Sequence, residues 1–305
     1  MSKKNSVVHA LKTVKYSDNT ILVDDELLKK IQSRLLNMMS EIAKGLAAND
    51  IKWCLSGGSI IGAVRHHGFI PWDSDIDIFM ERKEFERFKA IFSKEFGEKY
   101  ELKEPGDKGY ILHLPQIHDK NTKLQEIQSV GEACGGICID IFIYENTYDN
   151  VILRTIHGLQ SSFFLFVDSS IRMKMCRANL LKFTNNDTQV RETVDKRARF
   201  SFLFSFWPLE KWLKKSVKCF SKVKKQGKYI VVPSGGHHFF GEIFERDQMC
   251  NYIKADFETE KWYIPKGFDY YLKLRYGEDY MTIPAEEDRE RHVYARVDLE
   301  ENDNG

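Results

Sequence analysis

Residues 55–80 read LSGGSIIGAVRHHGFIPWDSDIDIFM, and the rest of the chain can be understood around them. In the second half, Asp75-Ile76-Asp77-Ile78 alternates acid with aliphatic at the period of a β-strand. Successive strand side chains point to opposite faces, so the carboxylates share one face and the isoleucines enter the core. Two like charges on one face repel unless a cation lies between them, and a hard divalent ion suits carboxylate oxygens. An edge strand with both acids in solvent would carry the same pattern. In the first half, a strand ending at Leu55 runs through Ser56-Gly57-Gly58-Ser59 into a short helix predicted over 60–66. Permissive backbone and free N–H groups at a helix N-terminus can hold phosphate, although a Gly-Gly turn alone is usually only a turn.

On the N-terminal side, Asp24, Asp25 and Glu26 open a segment in which Leu27, Leu28, Ile31, Leu35, Met38, Met39, Ile42 and Leu46 recur at helical spacing, closed by Asn49-Asp50. The pattern further predicts strands over 51–55, 75–80 and 137–144, and a helix over 83–96 with Phe85, Phe88, Phe92 and Phe96 on one face. The strand over 137–144 carries one acid, Asp140, in an apolar run. A lone carboxylate is costly to bury, so Asp140 is expected to join the same cation site; otherwise it caps a neighbouring loop. Glycine turn, paired acids and third acid together describe a phosphoryl- or nucleotidyl-transfer site. Asp73 shares the parity of Asp75 and Asp77 but follows Pro71-Trp72, where the strand need not have begun, and is a weaker candidate.

Beyond about residue 155 the chain becomes helical, aromatic and basic. Pro208 opens a helix with an apolar stripe of Leu209, Trp212, Leu213, Val217, Phe220 and Val223. A strand over 229–232 and a helix over 265–280 follow, and Ser234-Gly235-Gly236-His237-His238 reads as a plain loop. The expected fold is α+β: a small mixed sheet flanked by helices, with a helical insertion and a helical C-terminal part. The expected division is an N-terminal extension (1–24), a catalytic core (25–155), a basic aromatic-rich helical segment (156–228), a C-terminal part packing on the core (229–285) and an acidic, fraying tail (286–305).

The 305 residues hold 46 Lys+Arg and 45 Asp+Glu, a net charge of +1, with 42% hydrophobic residues. This excludes a disordered chain and a disulfide mini-scaffold, and near-neutrality argues against a generic nucleic-acid coat. The neutrality is a cancellation: residues 171–228 hold 16 Lys+Arg against 4 Asp+Glu, and the remainder 30 against 41. No run reaches the roughly 18 apolar residues of a spanning helix, and no apolar h-region follows the basic N-terminus, so a cytoplasmic location is expected. Six scattered cysteines are expected to be thiols; Cys134 and Cys138 are four apart with no second pair to complete a zinc site.

Residues 55–78, with Ile139-Asp140-Ile141-Phe142 and a C-terminal block from Ile264 through Met281 with Pro284 and His292, resemble the LicD-type phosphocholine transferases, a family that includes the fukutin-related proteins. The resemblance covers roughly 25–145 and 255–295. It implies a core of the polymerase-β-like nucleotidyltransferase superfamily. It further implies transfer of phosphocholine or a similar phospho-alcohol from a CDP-linked donor to a hydroxyl of a glycan or lipid-linked glycan (lipopolysaccharide, teichoic acid or capsule), releasing CMP. Asp75 and Asp77 would hold Mg²⁺ (or Mn²⁺), Asp140 would complete the metal site or accept the hydroxyl proton, and Gly57, Gly58 and Ser59 would hold donor phosphate. Arg65 would offer a forked phosphate contact, or else a surface ion pair. Two alternatives stay open: a nucleotidyltransferase adding NMP to a small alcohol or antibiotic, and a non-catalytic nucleotide-binding protein. No nucleic-acid partner is expected. For 208–228 two readings stand: a core-packed helix with solvated lysines, or peripheral contact with an anionic inner membrane face.

Overall fold

The computed structural model describes residues 11, 14–131, 135–289 and 293–299; Cys134 and His292 lie outside them. After a two-residue strand β1 (Ile21–Leu22), helix α1 (Asp25–Ala48) starts where the sequence places it, because the Asp24 side chain accepts the Leu27 N–H at 2.8 Å. Its stripe from Leu28 to Leu46 is buried. The strand expected over 51–55 pairs only at β2 (Cys54–Leu55), followed by α2 (Gly57–Ile61), which widens into a π-turn over Gly62–His66. Next come β3 (Ile76–Glu81), α3 (Arg82–Glu95), β4 (Tyr100–Lys103), β5 (Gln116–Asp119), β6 (Thr122–Glu126) and β7 (Cys138–Asn146). Helices α4 (Val151–Phe183), α5 (Thr188–Ala198) and α6 (Leu209–Phe220) make up the basic segment, with a 3₁₀ turn over Arg199–Phe204. The chain closes with β8 (Tyr229–Val231), β9 (Ile243–Glu245), the hairpin β10 (Tyr252–Phe257) and β11 (Glu260–Pro265), α7 (Phe268–Tyr276) and β12 (Val293–Leu299).

The main sheet is mixed, as expected for α+β, in the order β2-β3-β7-β5-β4, with β8 and β9 continuing from the far end of β7. Strands β3 and β7 run parallel; β2 and β5 flank them antiparallel. Ile76, Ile78, Ile139 and Ile141 enter the core with α1, as the alternation requires.

Two expectations change, and of the two readings for 208–228 the core-packed helix is the one found. The helix foreseen over 265–280 is shorter, because Pro265 ends the β10–β11 hairpin, a pairing with no local motif to announce it. The end expected to fray contains β12, which lies between β1 and β6 and buries Val293 and Tyr294. The apolar stripe of α6 is covered: Leu209, Trp212, Leu213 and Phe220 are buried, and the helix packs on α4. Its lysines, not its stripe, meet solvent. Among the described residues no helix is long and apolar enough to cross a membrane.

Candidate active site

Register brings the acids together. Asp77 and Asp140 are direct partners across the parallel β3–β7 pair, so their side chains rise from the same face of neighbouring strands about 4.8 Å apart. Gln116 is the partner of Asp140 on β5 and donates from Nε2 to Asp140 Oδ1 at 2.7 Å. Asp75 lies one residue before β3 and Asp73 two further back. Asp73 belongs to the cluster after all: its charge acts on Asp75 and Asp77.

The glycine turn is built around these acids. Gly57 has φ +50°, and a Cβ there would lie 2.5 Å from Asp77 Oδ2; one on Gly58 would lie 3.1 Å from Asp73 Oδ2. Ser59 Oγ accepts the Asp77 N–H at 2.9 Å, tying the start of α2 to β3. The turn therefore makes room for carboxylates directly beside the N-terminus of α2. Arg65 is placed elsewhere: its Nη1 donates to the carbonyls of Tyr280 at 2.7 Å and Thr282 at 3.1 Å, so the guanidinium anchors the C-terminal segment.

Electrostatics follow from this crowding. Burial, then the charges of Asp140 and Asp73, push the Asp77 carboxyl well above the usual range, while Arg275 opposes the shift. Desolvation within the cleft, followed by Asp73, Asp77 and Asp140, does the same to Asp75. Asp75 retains exposed surface, so for this residue the neighbouring acids are the cause that survives solvent screening. Burial raises Asp140 to about 6 against the opposing Gln116 hydrogen bond. A cavity of about 780 Å³ opens beside the cluster, lined by Asp75, Asp140, Gln116, Ser74, Cys138 and Tyr294, and its size suits a small-molecule substrate.

Sequence reasoning missed the cationic wall. Arg275, in the last turn of α7, donates from Nη1 to Glu242 Oε1 at 2.7 Å, and its buried Nε has no hydrogen-bond partner among the described residues. A Cβ on Gly236 would lie 2.7 Å from this guanidinium, and one on Gly235 would strike Glu242. The second Gly-Gly turn is a loop, as expected, but one that cradles the ion pair facing Asp77. The repeated Gly-Gly and the C-terminal block that contains Arg275 were the available signals; Gln116 had none.

The donor chemistry fits a hard divalent cation: oxygen acids in mutual repulsion with Arg275 as the opposing charge on Asp77. Among the described residues no three His, Cys, Asp or Glu side chains are gathered closely enough to hold an ion as they stand, and Asp140 is turned to Gln116.

An acid-lined cleft at the strand ends of a mixed α+β sheet, with a glycine turn beneath it, defines the class of this protein. Residues 50–156 match the model of the LicD/FKTN/FKRP nucleotidyltransferase domain. Over 271 residues the chain is 28% identical to the lipopolysaccharide cholinephosphotransferase LicD of Haemophilus influenzae, covering 87% of this chain and 95% of that protein. It is also 28% identical over 118 residues to an uncharacterised Rickettsia typhi protein (39% of this chain, 31% of that one) and 27% over 148 residues to one from Rickettsia prowazekii (44% and 46%). Residues 50–156 are thus similar to the LicD/FKTN/FKRP domain, and the chain as a whole is similar to a LicD cholinephosphotransferase.

Proposed function

We propose that this protein transfers phosphocholine, or a similar phospho-alcohol, from a CDP-linked donor to a hydroxyl of a cell-surface glycan or glycolipid precursor, releasing CMP. The observation that carries the reading is the register pairing of Asp77 with Asp140, with Asp73 and Asp75 alongside, in a chain similar along most of its length to a lipopolysaccharide cholinephosphotransferase. Asp75 and Asp77 would hold Mg²⁺, or Mn²⁺ on the same oxygens, and Asp140, held by Gln116, would either complete that site or take the hydroxyl proton. Such an ion supplies neutralisation of the pyrophosphate and of the departing CMP.

The chain's own groups do the rest. The Gly57-Gly58-Ser59 turn offers backbone N–H groups to donor phosphate, and the Ser59 hydroxyl hydrogen remains available while its oxygen steadies Asp77. Arg275, whose charge acts on Asp77, would also attract a phosphate held at that acid. In the transfer, the acceptor oxygen forms a bond to the transferred phosphorus, the bond from phosphorus to the CMP oxygen breaks, and CMP leaves with that electron pair. In the second of its two roles Asp140 would take the hydroxyl proton. Gln116 orients it. The aromatic content is too high for sequence to nominate a choline-binding ring, so the alcohol is left to experiment. A cytoplasmic location at the inner membrane face suits a CDP-linked donor.

The test offers CDP-choline, CDP-ethanolamine, CDP-glycerol and CDP-ribitol with a glycan acceptor and scores CMP release and product mass. We expect one donor to give the phospho-alcohol adduct, with EDTA, Asp75→Asn or Asp77→Asn abolishing it while circular dichroism is unchanged. Nucleotide in the product would instead establish the second reading, nucleotidyl transfer, favoured by the description of the matched domain. Nucleotide binding without turnover across the panel would leave a non-catalytic binder.

A further inference from the structure

The N-terminal half of α4 is oriented against the usual rule for a surface helix. Ile152, Ile156, Leu159 and Phe163, at spacings of four, three and four, lie on one face, and all are exposed. Ile152 keeps 66% of its surface and Leu159 60%. The opposite side of the same turns carries the buried His157, Gly158 and Ser161. A helix at a water interface normally places its apolar stripe inward. Here the polar side is buried and the apolar side faces out.

The exposed stripe continues onto a second element. The Phe163 ring meets Phe204 at 6.1 Å in the 3₁₀ turn, which presents Leu203 and a 68%-exposed Phe202; Phe206, just beyond it, is 65% exposed. Phe240, half-exposed, packs against Gly158. Large exposed apolar patches mark interaction surfaces. From Val151 through Val167 the only charged residue is Arg154.

Cations surround this surface. Lys222 donates to Gln160, in the turn between Leu159 and Phe163; the Lys215 ammonium lies 4.8 Å from the Trp207 ring; and Arg199 covers Phe200 at 4.9 Å. Lys211, Lys218, Lys224 and Lys225 add exposed positive charge on and after α6, while Lys214 lies against Gly106. A second copy docking face to face would set two lysine-rich rims against each other, a like-charge arrangement that costs free energy. An anionic bilayer meets both requirements together: acyl chains accept the aromatic and aliphatic groups, and headgroup phosphates accept the lysines.

We infer that the α4 stripe, with Phe202, Leu203 and Phe206, is a docking surface for an anionic membrane, flanked by Lys215, Lys222 and Arg199. The inference goes beyond the proposed chemistry and is independent of which group is transferred. It moves the contact from the covered stripe of α6 to a face of α4 that sequence periodicity alone assigned no side. It also sets a geometry. From Asp140 to Asn146 β7 travels about 20 Å along the sheet before Asn150 caps α4, so the acids lie at the other end of the strand from the docking face.

Co-sedimentation of the full chain with phosphatidylcholine vesicles, with and without phosphatidylglycerol, tests this. We expect binding to the anionic vesicles and at least tenfold weaker binding to the neutral ones. Phe202→Ser with Phe206→Ser should weaken binding by on the order of tenfold or more per residue, given the transfer energy of a phenylalanine side chain. Ile152→Ser with Ile156→Ser provides an independent variant from the other element. All four side chains are exposed, and an unchanged Tm verifies the fold. Wild-type chain left in the supernatant with both vesicles overturns the inference, as does undiminished binding by both variants. A concentration-dependent dimer that the Phe202/Phe206 variant dissolves would overturn it too, by assigning the face to self-association. No donor or acceptor is needed, so failure of the proposed chemistry is read separately.

Discussion

The acid cleft and the basic helical segment each concentrate one sign of charge, and they do so in opposite ways. At the strand ends, register holds Asp77 and Asp140 on one face, with Asp73 and Asp75 beside them, and each raises the cost of ionising another. Along α6 the lysines fan out from one buried stripe into solvent, where water and salt screen them. Like charges spread over a surface cost little; like charges held in a cleft call for a counter-ion. The difference separates a surface that attracts a partner from a site built to hold one.

Relieving the acid cluster should have the largest effect. Asp77→Asn is expected to lower kcat on the order of 100-fold or more, the scale for losing a key electrostatic group, while raising the Tm of the metal-free protein, because a repulsive charge is gone. Mg²⁺ should raise the Tm of the wild type clearly and of the variant weakly, as binding to the native state alone requires. Equal Mg²⁺ shifts in both would show that Asp77 is not at the cation site. Next in size is Gln116→Ala, which frees Asp140. A loss of about 10–100-fold in kcat, as for other orienting partners, with donor KM little changed, is expected from steady-state kinetics.

The helical segment supplies the smallest and most different effect. Asp168 on α4 accepts from Ser216 Oγ at 2.5 Å, its Oδ1 is buried without a partner among the described residues, and burial raises its carboxyl to about 7. Its folded-state value lies above the unfolded one, so the native state holds the proton more tightly. The stabilisation is present at about pH 4 and is lost as pH rises through about 7. Thermal melts of Asp168→Asn should therefore match wild type near pH 4 and exceed it above pH 7. A pH-independent difference would mean that Asp168 does not titrate in this range.

Much of the local structure was legible because it rests on nearest-neighbour chemistry. Asp24 capping α1, the phenylalanine face of α3, and the alternation around Asp75 and Asp77 are short-range patterns with one good solution each. Asp140 could be joined to the pair from 63 residues away because a single acid in an apolar strand is costly unless it has company. Less could be read where a group's partner lies far along the chain. For Arg65 a phosphate contact and a surface ion pair were both open, yet its hydrogen-bond partners are carbonyls more than 200 residues away. Gln116 has no distinguishing neighbours; only pairing of β5 with β7 sets it against Asp140. Arg275 reaches Asp77 because α7 packs back toward α2 and a second glycine turn yields space to its guanidinium.

Composition and spacing thus set which side chains could share a face: paired acids on one strand, a glycine turn before them, a lone acid on another strand, and lysines around an apolar helix. Those properties follow from strand and helix periodicity, which any local segment carries with it. Packing settled what each face meets. It put Asp77 level with Asp140, buried the stripe of α6 against α4, and left the stripe of α4 in solvent. Periodicity fixes the existence of a face, but whether that face is covered depends on every other element competing for the same core, and that is a property of the whole fold.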